Sequence, residues 1–476
     1  MFERTSRAAA LAAFTVTTLL TVAIGTAAAA FGPLPPANPH LGPPGTATMH
    51  GDAASSDATP YAGPGPDVDS DFHELAAACP TILQGADGMP QALCTRIVGR
   101  APVVFLLDPA DGRPLASLDL TAGSLLGGVY AYLDSHDRMV TVDGGGALLR
   151  IGHRRAGDGW QVYVDSATDL AGAVTGHCGG GDCDAVSSVM PDFAGRVWFA
   201  TDGAAAGFAD PATGAVRSIV LGPGEQVANS ISSAPRGVAV ATTHALYLLD
   251  VDGAGAPRVV WRQAYDRGPA RKPGQLSWGT GATPTFFGPG SGTEYLAITD
   301  NAVPRENLLV FDTATGDRIC AVPAVDGTEN SPIGVGASLF VASTYGYPYP
   351  AVPENAGPSQ PASAPFSGGM VRIDVGADGC RTVWTSDVAS AAVPRLSVAD
   401  GRIYTVTRHT VIPTGSVGAT DTFRYAILDA ATGRLESERV IGATAVHNTL
   451  QMVGTITPDR TLYQGTMSGL FRITPR

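Results

Sequence analysis

The residues best able to hold a ligand are three asparagines, each followed by a small hydroxyl residue: Ala228-Asn229-Ser230, Glu329-Asn330-Ser331 and His447-Asn448-Thr449. Carboxamide oxygens together with the Glu329 carboxylate are hard donors, of the kind that Ca²⁺ or another divalent ion takes at six to eight positions. The opposing reading is that an asparagine at a loop-to-strand junction simply bonds its own turn. None of the three fits Asn-x-Ser/Thr, so glycosylation does not compete for them.

A second constellation gathers Asp300, Asn301 and Arg305 around Pro304, whose ring stiffens the loop. Arg305 is suited to gripping a carboxylate or phosphate with two donors, or to pairing inside the loop with Asp300 or Glu306. Next along the chain, Tyr345, Tyr347 and Tyr349 alternate with Gly346 and Pro348. Tyrosines on an exposed loop offer rigid amphipathic area to a sugar ring or a partner protein; packed down, they cover the fold's own edge. Arg267, Arg271 and Lys272 form one basic cluster in an otherwise acidic chain, suited to an anionic ligand or to plain solvation. No Ser/His/Asp spacing, nucleophile elbow, phosphate-binding glycine motif or His-Glu-x-x-His is present.

The elements that position these residues follow from a repeat. Seven apolar runs end in a small polar turn, at Val142, Thr201, Thr242, Thr299, Ser343, Thr407 and Thr466, about 54 residues apart on average. Each is followed by a second apolar run, often closed by turns such as Asp210-Pro-Ala-Thr-Gly214, Asp312-Thr-Ala-Thr-Gly316 and Asp429-Ala-Ala-Thr-Gly433. Four short strands plus turns at a period near 50 predict an all-β chain, a β-propeller. Seven blades are expected, eight being the alternative. An N-terminal segment that includes the hairpin 103–120 is expected to complete the last blade and close the ring. Long loops at 265–281, 344–369 and 409–423 all fall on the face where the innermost strands begin, which marks that face for binding. The three asparagines would then ring the channel mouth.

Gly195-Arg-Val-Trp-Phe-Ala-Thr-Asp-Gly203 and Tyr425-Ala-Ile-Leu-Asp-Ala-Ala-Thr-Gly-Arg434 resemble the repeats of pyrroloquinoline-quinone-type propellers. The likeness covers most of 103–476 and implies the blade fold. Members with quinone-dependent dehydrogenase activity carry adjacent cysteines at the cofactor; this chain has no Cys-Cys, and no tryptophan follows Thr315-Gly316 or Thr432-Gly433. The set Glu329, Asn229, Asn330 and Asn448 is also similar to that of lactonase-like propellers, which implies a catalytic divalent ion.

Residues 1–31 read as an export signal or membrane anchor, since Arg4 and Arg7 precede an uncharged run ending in small residues. Residues 32–70 read as a Pro/Gly-rich tether, 71–100 as a disulfide-bearing lead-in, and 101–476 as the propeller. Six cysteines without metal-ligand spacing suit disulfides in an oxidising compartment. Cys178 and Cys183 bracket a glycine-rich loop. Cys320 and Cys380 follow equivalent turns and would bridge adjacent blades, which leaves Cys79 with Cys94. A net charge of −13 with a single lysine argues against a nucleic-acid partner. The expectation is a secreted or envelope monomer, touching the membrane only through an uncleaved N-terminus, that binds a small molecule, glycan or envelope protein. The alternative is a metal- or quinone-dependent enzyme, a lactonase- or esterase-like hydrolase or a dehydrogenase, with its site at the channel mouth.

Overall fold

The apolar runs become strands buried on both faces, such as Val197–Thr201 and Ser338–Ala342. In the computed structural model they assemble into eight sheets, seven of four antiparallel strands and one of five, whose fifth strand pairs in parallel. The structure describes Met1 and residues 31–123, 129–174, 185–410 and 416–476. Most of the export segment, and Cys178 with Cys183, lie outside the described residues. Among the described residues no helix is long and apolar enough to cross a membrane.

In chain order the blades cover 77–119, 132–169, 186–220, 232–264, 285–325, 333–386, 395–443 and 454–475. Blade 8 draws its three inner strands from the C-terminus and its outer strand, Val68–Glu74, from the N-terminal part of the chain. That strand pairs antiparallel with Gly469–Pro475, placing Phe72 opposite Phe471.

The ring therefore has eight blades rather than seven. The seven predicted second strands are those of blades 2 to 8; the eighth is Pro90–Arg96, inside the stretch read as a lead-in. It pairs with Ala77–Gln84, and the Cys79–Cys94 disulfide ties the two. The hairpin Pro102–Leu107 and Pro114–Asp119 forms the outer half of this first blade, not of the last one. The other described disulfide, Cys320–Cys380, joins the outer strands of blades 5 and 6.

The formulaic turns work as their spelling suggests. Gly214, Gly316 and Gly433 adopt positive φ and donate their N–H to Asp210, Asp312 and Asp429 at 2.8–2.9 Å. Two also lock neighbouring blades together. The indole N–H of Trp261 in blade 4 donates to the Thr313 carbonyl at 3.0 Å, and that of Trp384 in blade 6 to Ala430 at 3.1 Å. A Cβ on Gly433 would sit 2.4 Å from the Trp384 ring, so only glycine fits. The tryptophans that the sequence does not place after these two turns arrive instead from the preceding blade.

Residues 32–66 are not a solvated tether. They wind across the face of the first-to-second-strand turns, where Gly32 meets Gly336 and Asn38 donates to the Pro191 carbonyl at 2.9 Å, and then rise into the channel. There the carbonyls of Thr46, Ala47, Ala53, Ala54, Ser56 and Asp57 accept from Gln84, Leu133, Ser233, Phe286, Gly334 and Leu396. These donors belong to the inner strands of blades 1, 2, 4, 5, 6 and 7. Inner strands have one edge without a partner in their own sheet, and the plug satisfies it. Ala58–Thr59 even adds as a short parallel strand beside Arg395–Ser397.

Candidate ligand-binding site at the channel mouth

Because the plug fills the lower channel, the upper channel is a one-ended cavity of about 370 Å³. Its floor is the plug tip, Met49 and His50. Its walls are the segments that lead into the inner strands, with Tyr130 from blade 2, Asn229 from blade 4, Glu329 and Asn330 from blade 6 and Gln451 from blade 8. The long loops cap it: Leu276 comes from the blade 4–5 connection, and Tyr349 to Pro353 from the loop inside blade 6.

Glu329 is the carboxylate of this cavity. Its Oε2 accepts the Leu276 N–H at 2.8 Å, and burial pushes its pKa up to about 7 against the pull of that bond, of Arg271 and of the Asn229 amide. The cavity touches the side chain, so it keeps some accessible surface although it lies deep in the ring. Asn330 donates to Gln451 Oε1 at 3.1 Å, and the Tyr130 hydroxyl lies 3.4 Å from Asn229 Oδ1. Burial, with the neighbouring Glu329 charge, keeps the Tyr130 and Tyr349 phenols protonated.

Of the predicted residues, the structure brings Asn229, Glu329 and Asn330 together on this cavity. Asn448 stands behind the wall: its Oδ1 accepts the Tyr347 hydroxyl and the Leu450 N–H. One carboxylate and two amides fall well short of the six to eight oxygens of a Ca²⁺ cage, and no group of three or more His, Cys, Asp or Glu among the described residues is placed to hold a metal.

The other predicted residues are absorbed by the fold. Asp300 accepts from Ala302 and Asn307 and so closes its own loop. Asn301 is fully buried and bonds Arg267, Ala270 and Gln275. Arg305 pairs with Asp326 and the Ala324 carbonyl, not with Asp300 or Glu306. Tyr345 is anchored through its backbone to Gly327 and Ser343 away from the cavity, and Tyr347 is buried against Phe366. Lys272 lies buried beside Glu306, bonding the Ala302 and Asp326 carbonyls, so the basic cluster is not an anion site. Sequence reasoning missed Tyr130, Gln451 and the plug residues Met49 and His50. Only His50 carried a signal, as a histidine two residues before Asp52.

A larger depression of about 570 Å³ opens between blades 6 and 7. On its wall Glu438 is held by Thr407, His409 and Arg424.

No protein-family model matches this chain, and no curated protein matches it. Solved structures do. A quinohemoprotein alcohol dehydrogenase from Comamonas testosteroni superposes with a TM-score of 0.59 at 13% identity, covering 90% of this chain and 80% of that one. The likeness is to the β-propeller fold of that enzyme. The quinohemoprotein alcohol dehydrogenase ADHIIG from Pseudomonas putida HK5 follows at 0.53 and 11%, with the same coverage. BamB from Moraxella catarrhalis matches 71% of this chain and 93% of its own at 14% identity, with a TM-score of 0.39. At these identities the likeness is one of fold alone.

The cavity carboxylate and a second one beneath it set a pH dependence. Asp52, in the plug, is pushed up to about 6 by burial despite two bonds from Ser56. Both groups bind a proton more tightly folded than unfolded. Each therefore favours the fold below its unfolded value of about 4. That contribution is lost as pH rises through about 6 for Asp52 and about 7 for Glu329. Asp87, Glu225 and Glu438 run the other way. Burial opposes their charge, but hydrogen bonds led by those from His153, Thr242 and Thr407 hold them low, so their contribution disappears in acid. The melting temperature should peak near about pH 5 and fall by pH 8. Glu329→Gln should flatten the upper limb, as a melting series on both proteins would show.

Proposed function

We propose that this chain is an exported propeller that binds a small organic molecule in the channel-mouth cavity. One observation carries the reading. A ring closed from below by its own N-terminal segment leaves in its channel a concave, largely apolar site onto which a few polar side chains converge, the usual form of a small-molecule site. The disulfides Cys79–Cys94 and Cys320–Cys380 support a secreted or envelope location. A glycan or protein docking on the tyrosine loop is less well supported, because Tyr347 is buried and Tyr349 turns to the cavity.

A second reading, an enzyme acting on a lactone, ester or alcohol, rests on Glu329. A carboxyl group with a pKa of about 7 in a cavity is suited to general acid–base work.

The test is to fill the cavity. Met452 lines it from blade 8 and is only partly buried. Met452→Trp should abolish one-to-one binding of small aromatic molecules while lowering stability by no more than about 1–3 kcal/mol, the usual range for overpacking. Calorimetric titration and a melting curve of the same variant measure the two effects. Undiminished binding would place the ligand elsewhere. Turnover of a lactone, ester or alcohol that Glu329→Gln removes would favour the enzyme.

A further inference from the structure

We infer that the cavity selects a protonated amine carried on an apolar body, a specificity that rests on the small-molecule reading above. Glu329 is the group that points to it. Among the described residues its carboxylate has hydrogen-bond donors but no ion-pair partner. The nearby Arg271 influences it only through space, since the guanidinium is spent on the Gly357 carbonyl at 3.0 Å and the Gln275 carbonyl at 2.6 Å. A carboxylate taken out of water with no cation in direct contact is costly, and a cation arriving in the cavity lowers that cost.

The other basic groups on the cavity wall are already committed or stand in solvent. Arg96 pairs with Asp119 at 2.9 Å. His50 is held between Asp57 at 2.9 Å and Thr283 at 3.3 Å. Arg100 is exposed at the rim. None of them satisfies Glu329 from inside.

The rest of the lining suits the same class of ligand. An ammonium group carries three donors and no acceptor. Glu329 supplies an oxygen, Asn229 a second, and Asn330, whose amide nitrogen is spent on Gln451, keeps its carbonyl as a third. Tyr130 and Tyr349 contribute aromatic rings, and Met49 and Met452 polarisable sulfurs, all of which accept a cation and an apolar body more readily than an anion. A carboxylate-bearing ligand would instead meet the Glu329 charge at close range.

Three probes with a common body separate the possibilities: 2-phenylethylamine, 2-phenylethanol and phenylacetate, titrated calorimetrically into the full-length protein at pH 8. The amine should bind about tenfold or more tightly than the alcohol, as a hydrogen bond to a charged group allows, and phenylacetate should be weakest. Glu329→Gln should remove the advantage of the amine and leave the alcohol within about twofold of its wild-type affinity. Equal binding of amine and alcohol, preference for phenylacetate, or an amine preference that survives Glu329→Gln would overturn the inference while leaving a small-molecule cavity in place. Failure of all three probes to bind would overturn both.

Discussion

Deleting residues 32–66 while keeping the chain from Asp67 onward should abolish the cooperative melting transition of the propeller, the largest effect expected of any single change. Seven inner-strand N–H groups, those of Gln84, Leu133, Ser233, Phe286, Gly334, Leu396 and Val398, donate to plug carbonyls. Losing such a bond costs about 0.5–1.5 kcal/mol where water replaces the acceptor and about 1–3 kcal/mol where it does not. Against a net stability of about 5–15 kcal/mol for a typical fold, seven such losses are decisive. Buried plug side chains add to this, because Ala53, Ala54, Ser55, Ser56 and Ala58 are all at most 2% exposed. The measurement is thermal melting by circular dichroism, with size-exclusion chromatography to detect association. A synthetic peptide of residues 32–66 should restore part of the transition when added in trans, which separates loss of the plug from damage to the ring. A truncated protein that melts cooperatively at the full-length temperature would show that the plug is a passenger.

The same segment marks where sequence and structure part company. Its proline and glycine content, with few large apolar residues, is what a flexible linker looks like, since such a composition cannot build a core of its own. It need not, because the ring supplies the core and the segment contributes backbone acceptors. Main-chain hydrogen bonding leaves no trace in residue type, so the plug was not legible. The blades were. Apolar runs ending in a small polar turn located the second strand of seven of them, and the equivalence of the turns before Cys320 and Cys380 predicted a bridge between neighbouring outer strands. Blade 1 was missed although its turn, from Asp108 to Gly112, has the same kind of closing bond, at 2.7 Å, because its inner strands are occupied by a Cys79-Pro80 pair and by Cys94. Asn229, Asn330 and Glu329 come to line the cavity because strand starts on the loop-rich face must surround the channel. Asn301 and Arg305 were over-read: a polar loop looks the same in sequence whether its side chains await a ligand or satisfy one another. Tyr130 and Gln451 could not be singled out, since one tyrosine and one glutamine without spacing or partners carry no sequence signal.

Arg395→Met should cost about 3–5 kcal/mol, the second large effect, because it leaves a buried carboxylate without its counter-charge. Arg395 opens the inner strand of blade 7 and is 1% exposed. It reaches the neighbouring blade and the plug: Nε donates to the Gly454 carbonyl of blade 8 at 3.1 Å, Nη2 to the Met49 carbonyl of the plug at 2.5 Å. Its remaining nitrogen, Nη1, faces Asp57 Oδ1 at 3.5 Å, and neither of those two atoms has a hydrogen-bond partner. The pair is therefore held by charge rather than by a formed hydrogen bond, and removing Arg395 strands Asp57 Oδ1 in the interior while Oδ2 keeps its bond to His50 Nδ1. Gly51, at φ 89°, lets the plug backbone turn here, and a Cβ at that position would lie 2.8 Å from Nη1. Methionine keeps much of the apolar stem but leaves the Met49 and Gly454 carbonyls unbonded. Combining Arg395→Met with Asp57→Asn should recover part of the loss, since the amide carries no charge to strand and still offers an oxygen to His50 Nδ1, now 2.9 Å from Asp57. Chemical denaturation of the two single variants and the double variant supplies the cycle. Additive losses would show that Arg395 acts through its carbonyl bonds alone. A double variant more stable than Arg395→Met would show that the charge pair is what fastens the plug tip to the ring, and with it the floor of the ligand cavity.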